Sequence, residues 1–253
     1  MVFLRRAHLL SNNEDELMYN IKSRFKVKFD EQFKQLGFIR KQNLYIRVVD
    51  DVLQNFNLHT RNNHYFNIEF AVLPLCMDIS KFGYDISRYN LKNFELFRSL
   101  SDVDWKYDSL SISSIDECLD NISIFIDTYL IPFFQSSTNC EKALSNVLKI
   151  ENLFYENRVK FMLSIGGKYD DSYVSNLNYF DSVIYFLALK AKQYPLALQC
   201  RKKQFNSQID RISCADEIRL LEQNDFSYFN ILIDTNEKNS KEYLLKKKII
   251  NVI

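Results

Sequence analysis

Histidine side chains are the first candidates for chemistry in this chain. There are three of them, His8, His59 and His64, and imidazole is the usual general acid or base near neutral pH. His59 and His64 flank a predicted turn and could approach each other across it, as two ligands of a zinc site. Since no Cys or third His lies near them, a carboxylate would have to complete that site. The sequence favours surface or partly buried histidines without a metal.

Paired carboxylates and one Gly-Gly-Lys peptide are the other candidates. Asp50-Asp51, Asp102 with Asp104, and Asp170-Asp171 all lie in predicted turns or connectors, where Asp commonly caps the backbone. Gly166-Gly167-Lys168 lacks the upstream Gly and the following Ser or Thr of a phosphate-binding loop. No nucleophile elbow or zinc-protease signature occurs. We therefore predict no catalytic residues, no metal and no cofactor.

Composition narrows the class of protein further. Its 33 Lys and Arg balance 32 Asp and Glu, so the charge balance leaves little long-range field to attract nucleic acid. Four glycines in 253 residues argue against folds built on Gly-rich nucleotide-binding loops. Five widely spaced cysteines without a C-x-x-C pair predict reduced, mostly buried thiols.

Apolar runs do not predict membrane association. The start, MVFLRRAHLLSNNEDE, lacks the continuous apolar stretch of a signal peptide. The longest apolar run, Ile122–Phe134, contains Asp127 and Pro132 and is shorter than a bilayer span. We therefore expect a cytoplasmic protein with no membrane partner.

Periodicity predicts the elements that would position the candidate residues. A capping box, Ser11 with Glu14, opens a long helix that stops at Gly37 and carries one apolar stripe: Leu17, Ile21, Phe25, Phe29, Phe33 and Leu36. Alternating patterns then predict strands over 44–49, 52–59 and 66–74. Because the connections are short, we expect an antiparallel meander covered on one face by the helix.

Helical patterns fill the remainder of the chain. Asn93–Leu100 is a possible short helix, and capping boxes at Ser114 with Glu117 and at Thr138 with Glu141 predict two more helix starts. The helix from Ser114 should end before Pro132. Later helical segments are predicted near 140–149, 154–164, 176–193, 196–207, 215–223 and 241–250. Pro195 predicts a tight turn between two antiparallel helices, similar to the hinge of a tetratricopeptide-type hairpin.

The predicted fold class is α+β. A long N-terminal helix packs on an antiparallel β-meander, and an all-helical C-terminal half follows. We predict an α+β domain over residues 1–137. Residues 138–253 form a helical region packed on it or a helical-hairpin subdomain.

A family resemblance rests on the order of several short motifs. L-G-F stands at Leu36–Phe38, L-Y-I-R at Leu44–Arg47, and V-V-D-D-V-L-Q-N-F-N-L follows; Trp105 and the L-I-P-F-F of Leu130–Phe134 come later. Over Glu16–Leu148 this order resembles a bacterial family of uncharacterised domains of unknown function. The resemblance implies a helix, a three-stranded meander and further helices. It implies no established activity.

The polar face of the predicted meander is the candidate binding site. With Leu44, Ile46, Val48 and the Phe-rich positions turned to the helix, the opposite face would present Tyr45, Arg47, Asn55, Asn57, His59, Tyr65, Asn67 and Glu69. Amides read hydrogen-bond patterns, and Tyr and His rings stack, so this set suits recognition. The alternatives are an ordinary solvated sheet face and a face covered by the C-terminal helices.

These features favour a non-enzymatic binding module with a protein partner. An immunity-type protein that neutralises a toxin is a concrete version. The alternative class is an enzyme or small-ligand receptor in which Arg47, His59, Tyr65 and Glu69 converge in a pocket under the helical half. A nucleic-acid binder ranks third, because the neutral charge balance provides no phosphate track.

Overall fold

The computed structural model describes residues 20–62, 64–82, 91–92, 105–164, 178–206 and 211–250. Five strands in these ranges form one antiparallel sheet in the order β1-β2-β3-β4-β5. They are β1 (Ile39–Lys41), β2 (Leu44–Val49), β3 (Val52–Arg61), β4 (Tyr65–Pro74) and β5 (Leu91–Lys92). Strands β2 to β4 confirm the predicted meander. The short edge strands β1 and β5 are additional to it.

Helix α1 (Ile21–Gln35) begins later than predicted. Asn20 has an extended backbone, and its side-chain oxygen accepts a hydrogen bond from the Ser23 N–H at 3.2 Å, which is the geometry of an N-cap. A helix running without interruption from Ser11 is therefore wrong. The Ser11 capping box itself lies outside the described residues.

The predicted end of helix α1 at Gly37 is confirmed. Gly37 has a φ of +85°, a conformation that side chains disfavour. Its N–H donates to the Lys34 carbonyl, and the Phe38 N–H donates to the Phe33 carbonyl, the paired bonds of a Schellman motif. The rings of Phe33 and Phe38 lie 5.7 Å apart, so an aromatic contact closes the same turn.

Aromatic rings hold helix α1 on the sheet. Its predicted stripe is buried at Ile21, Phe25, Phe29 and Phe33. The Phe33 ring centroid lies 4.5 Å from that of Phe56 on β3, and Phe25 lies 5.6 Å from Phe66 on β4. Burying such rings removes a large apolar area from water, so the stripe anchors the helix.

A second helix lies on the sheet beside α1. Helix α2 (Ile112–Phe125) is N-capped by Ser111, not Ser114. The chain then passes through a π-helical turn (Ile126–Leu130) into helix α3 (Ile131–Ser136). Helix α2 thus ends before Pro132, as predicted, but the helical path continues through the wider turn, and Pro132 lies in the first turn of α3, where a proline lacks no intrahelical hydrogen bond.

Side chains of α1 form a ladder of contacts with side chains of α2 and of the π-helical turn that follows it. Arg24 Nε lies 3.0 Å from an Asp116 oxygen, Lys28 Nζ 2.5 Å from Asp120, and Gln32 Nε2 3.2 Å from Asp127. The residue numbers increase in both helices from one pair to the next, so the two helices run parallel.

The C-terminal half contains helices α4 (Cys140–Ser164), α5 (Asn178–Lys190), α6 (Tyr194–Asn206), α7 (Arg211–Glu222) and α8 (Ser227–Lys246). Helix α4 contacts α5, α5 contacts α6, and α6 contacts α7. The tight turn before Pro195 is confirmed, with Lys192 in the left-handed conformation (φ +58°). Two predicted segments merge into α4, and α8 begins well before the predicted residue 241. Asn93–Leu100 and Gly166–Lys168 lie outside the described residues.

The start of α4 also differs from the predicted capping box. Asn139, not Thr138, is the capping residue, because its side-chain oxygen accepts a hydrogen bond from the Lys142 N–H at 3.0 Å. This bond is the one an N-cap side chain makes to the third helical N–H.

Hydrogen bonds join the two halves of the chain. Ser240 on α8 donates to the Leu75 carbonyl at 2.6 Å and accepts from the Ile79 N–H at 2.8 Å. Asn236 donates to the Cys76 carbonyl at 2.8 Å. One hydrophobic core extends through both halves. The α+β class with a helical half is confirmed, and the division at residue 137 stays a prediction.

None of the helices in the described ranges combines the length and the apolar character that a bilayer span requires.

Candidate functional site

Strand register divides the predicted site between two faces of the sheet. Tyr45 pairs with Phe56, which pairs with Phe70, and directly paired residues share a face. We call the side beneath helix α1 the first face; it carries Tyr45, Arg47, Gln54, Phe56 and Phe70. The second face carries Ile46, Asn55, Asn57, His59, Tyr65, Asn67, Glu69 and Ala71. The prediction that Tyr45 and Arg47 share a face with the amides is wrong.

Tyr45 is an anchor for helix α1. Its side chain is 1% exposed, and its hydroxyl donates a hydrogen bond to the Asp30 carboxylate on α1. Asp30 also pairs with Arg40 Nε at 2.9 Å. Burial first, and the Asp30 hydrogen bond second, raise the pKa of Tyr45 above its ordinary value. This phenol is therefore neutral and engaged inside the fold.

Arg47 is likewise engaged inside the fold. Its Nε donates to the Gln54 side-chain oxygen at 2.7 Å, and its Nη1 donates to the Leu36 carbonyl at the end of α1. The buried Gln54 amide in turn donates to the carbonyls of Phe134 and Ser137, each at 2.8 Å. Carbonyls at a helix C-terminus lack intrahelical partners, so Arg47 and Gln54 cap α1 and α3 together.

The polar end of the second face, defined as Asn57, His59, Tyr65, Asn67 and Glu69, remains accessible. Asn57 pairs across the strands with Glu69, and His59 pairs with Asn67. The His59 side chain is 44% exposed and Tyr65 is 40% exposed. These residues lie on the halves of β3 and β4 nearest their connecting turn. They form the candidate site.

One imidazole nitrogen, Nε2 of His59, contacts two other side chains of this polar end. His59 Nε2 lies 2.9 Å from the Asn57 amide nitrogen and 3.1 Å from a Glu69 carboxylate oxygen. A ring nitrogen either accepts a hydrogen bond or donates one. Nε2 therefore pairs with Asn57 when it lacks a proton and with Glu69 when it carries one. In either state a neighbour fixes the ring.

The alternative that His59 and His64 form part of a metal site gains no support. The His64 carbonyl accepts a hydrogen bond from the Tyr107 N–H at 2.8 Å, which joins the turn to the segment before helix α2. Within the described ranges, no group of three or more His, Cys, Asp or Glu side chains is arranged to hold a metal ion.

Asn55 lies farther along the second face and is fully buried. Its direct neighbours across the strands are Ile46 and Ala71, and all three residues are 0% exposed. Within the described ranges, neither atom of the Asn55 carboxamide has a hydrogen-bond partner. The buried part of the second face therefore contains an unsatisfied amide.

Sequence reasoning missed a buried polar network in the helical half. Arg201 Nε lies 2.5 Å from a Glu217 oxygen that also accepts a hydrogen bond from Tyr185 at 2.7 Å. Gln204 donates to Ser182 at 2.9 Å and lies beside Arg201. The available signal was Gln204 at helical spacing from the buried Ala197 and Cys200. The network joins α5, α6 and α7 and leaves Arg201 committed to structure.

The described residues form an α+β fold, and the polar end is an accessible cluster of polar side chains on its sheet. No family model, curated protein or solved structure matches the chain. The resemblance to a bacterial family of uncharacterised domains stays a prediction.

Proposed function

We propose that the protein is a non-enzymatic module that binds a protein partner through the polar end of the second face. The proposal rests on one observation: the predicted site residues lie on two faces of the sheet, and only those of the polar end are accessible. Tyr45 and Arg47 are committed to the fold, whereas the His59 side chain is 44% exposed and the residue Tyr65 is 40% exposed.

The chemistry of the polar end suits a protein interface. Tyrosine contributes apolar area and a hydroxyl at once, which is why it is enriched at interfaces. His59 is already oriented by Asn57 and Glu69. Ordering a side chain before association reduces the entropy lost on binding. An immunity-type protein that sequesters a toxin is a narrower form of the same proposal.

A triple variant, His59→Ala with Tyr65→Ala and Asn67→Ala, tests this proposal. These side chains are surface groups, so the fold should survive their removal. A matched control is Val27→Ala with Ile231→Ala, whose side chains are 91% and 68% exposed elsewhere on the molecule. A partner captured from the native cell is purified, and its Kd is measured by calorimetry.

We expect the triple variant to bind at least about tenfold more weakly than the control, because anchor residues dominate interface energies. Equal affinity for the triple variant and the control would refute the proposed surface. Absence of any stoichiometric partner for the wild type would refute the proposed class.

The carboxylate–imidazole pair favours an acid–base enzyme as a second candidate. A carboxylate beside a histidine orients the ring and stabilises its protonated form, and His59 and Glu69 lie 3.1 Å apart. Arg47 cannot complete the predicted four-residue pocket, because it lies on the first face. The remaining set is His59, Tyr65 and Glu69.

Hydrolysis of p-nitrophenyl acetate tests this second candidate. An enzyme should lose about 100-fold or more of its rate in His59→Gln and keep it in His64→Gln, whose residue is exposed next to the same turn. Equal rates in the two variants would eliminate the His59–Glu69 site.

A further inference from the structure

Two cysteines meet at the joint between the sheet and the helical half. Cys76 follows the end of strand β4, and Cys140 is the first residue of helix α4. The turn residue Asp51 holds both segments, because its carbonyl oxygen accepts a hydrogen bond from the Leu75 N–H at 2.9 Å and lies 3.7 Å from Cys140 Sγ. Its carboxylate accepts a hydrogen bond from the Cys140 N–H at 2.8 Å. One turn therefore fixes the positions of both cysteines.

The two thiols also contact each other. A hydrogen bond with Cys76, followed by burial, raises the pKa of the Cys140 thiol, so Cys140 keeps its proton. Cys76 Sγ donates a hydrogen bond to the Phe186 carbonyl on helix α5 at 3.5 Å. Both cysteines are free, and their exposed fractions are 0% for Cys76 and 2% for Cys140. Two sulfur atoms in hydrogen-bonding contact need to approach by only about 2 Å to form an S–S bond.

The contacts of other buried cysteines are with groups that form no bond to sulfur. Cys118 donates a hydrogen bond to the Trp105 carbonyl at 3.6 Å, and Cys214 Sγ lies 3.9 Å from Arg201 Nη1. Burial is thus common to all five cysteines, whereas the thiol–thiol contact and the position between the two halves set Cys76 and Cys140 apart.

We infer that Cys76 and Cys140 form a reversible disulfide under oxidising conditions, and that this bond locks helix α4 onto the end of the sheet. The bond joins the two halves at the place where Asp51 otherwise holds them by hydrogen bonds. The inference does not rest on the proposed partner surface, because the polar end lies beside the β3–β4 turn, at the opposite end of strand β4.

Hydrogen peroxide is the oxidant in this reaction. The Cys76 thiolate attacks one peroxide oxygen, the O–O bond breaks, and the hydroxide that leaves takes up the thiol proton as water, which converts Cys76 to a sulfenic acid. The Cys140 sulfur then attacks the Cys76 sulfur. The S–O bond breaks as the S–S bond forms, and the hydroxyl group leaves with the Cys140 proton as a second water. Two thiols thereby lose two electrons to one peroxide.

Burial sets the rate of this oxidation. Peroxide reaches the two sulfurs when the joint between the sheet and helix α4 opens, because both cysteines are closed off from solvent in the folded state. Local opening of this kind is slower than the motion of exposed side chains. We therefore expect the disulfide to form over hours and to persist until a thiol reductant is added.

Peptide mapping of the wild-type protein tests the inference. The reduced protein is incubated with hydrogen peroxide at millimolar concentration, its remaining thiols are alkylated in guanidinium, and the digest is analysed by mass spectrometry without reductant. We expect a cross-link between the peptides of Cys76 and Cys140, with the other three cysteines alkylated. Five alkylated cysteines, higher oxidation of the sulfurs without that cross-link, or a cross-link that involves Cys118, Cys200 or Cys214 in its place would overturn the inference.

Thermal unfolding tests whether the disulfide locks the fold. The Tm of the oxidised wild type should rise by about 5 °C or more, because a cross-link between distant residues restricts the unfolded chain, and dithiothreitol should abolish the rise. Cys140→Ser should show no rise after the same treatment, whereas the matched buried control Cys118→Ser should keep it. An unchanged or lower Tm of the cross-linked wild type, or an equal rise in Cys140→Ser, would contradict the lock. The comparison of wild type with and without dithiothreitol needs no variant, so it remains decisive where a substitution weakens the fold.

Discussion

At the scale of single residues, burial decides what a charged side chain does. Arg40 and Arg47 occupy neighbouring strands and have the same chemistry. Arg40 is 41% exposed and pairs with Asp30 on the surface, whereas Arg47 is half-buried and donates to Gln54 and to the end of helix α1. The sequence alone gives both residues the same potential for ligand binding. Only the register of β2 separates them.

Arg47→Ala should lower the free energy of unfolding by about 2–4 kcal/mol. The substitution removes two hydrogen bonds from a charged donor and leaves the buried Gln54 oxygen without a partner. Arg40→Ala is the control, and its exposed ion pair should contribute at most about 1 kcal/mol. Urea denaturation measures both values, and similar losses for the two variants would contradict the capping role of Arg47.

Thiol reactivity should separate the native from the unfolded protein. All five cysteines are free and buried. Burial raises the pKa of the Cys200 thiol to about 12, and a hydrogen bond with Cys76, followed by burial, raises the pKa of Cys140. Because the thiolate is the reactive form, DTNB at pH 8 should label all five thiols in guanidinium and label the native protein slowly. Rapid labelling of the native protein would contradict the described burial.

At the scale of elements, strand β2 shows which part of the fold local pattern could predict. The limits of β2 to β4, the stop at Gly37 and the turn before Pro195 were predictable, because alternation, glycine and proline act locally. The inward face of β2 was not predictable. Tyr45 and Ile46 point to opposite faces of β2, and both are buried, so the sheet is covered on both sides. Alternation alone therefore cannot tell which face of β2 lies under helix α1.

The same argument covers the candidate site. Five of the predicted site residues do share a face, because alternation predicts the correct phase for β3 and β4: Asn57, His59, Tyr65, Asn67 and Glu69. For β2 the alternation allows two phases one residue apart, and Tyr45 and Arg47 lie on the other face. Their partners, Asp30 and Gln54, could be identified only once the strands and helix were assembled.

Aromatic packing, rather than the ion-pair ladder, should hold helix α1. Phe33 is 0% exposed and contacts the rings of Tyr45 and Phe56, so Phe33→Ala should cost about 3–5 kcal/mol. Asp120, with a 74% exposed side chain, should contribute at most about 1 kcal/mol to its pair with Lys28. Chemical denaturation of Phe33→Ala and Asp120→Asn gives the comparison, and a larger loss for Asp120→Asn would reverse it.

At the scale of the whole molecule, a pair of partly buried carboxylates should affect the dependence of stability on pH. Glu151 on α4 and Asp181 on α5 lie around Lys203 on α6. Burial is the main cause that raises the pKa of each above its ordinary value. The native state therefore binds these protons more tightly than the unfolded state. Their stabilising contribution is present at low pH and is lost as the pH rises through the native pKa values.

Glu151→Gln with Asp181→Asn should remove this dependence. At a pH below the native pKa values the wild-type carboxyls are protonated, and the double variant should match the wild type. At pH 7 the variant should be more stable, because it no longer buries two charges. Urea denaturation at the two pH values measures the difference. Lys241→Gln, at an exposed position on α8, is the control, and a difference that does not change with pH would contradict the expected titration.

The turn at Asp51 sets an order of events during folding. Its carboxylate accepts a hydrogen bond from the Cys140 N–H at the start of α4, 89 residues later, at 2.8 Å, and its carbonyl accepts from Leu75 at 2.9 Å. A hairpin closes within about 1–10 μs, whereas the contact with α4 must wait for a long loop to close. During synthesis the β2–β3 hairpin leaves the ribosome before the helix is made. The β2–β3 hairpin, which carries Asp51, can therefore form first. Helix α4 then docks on a hairpin that is already folded.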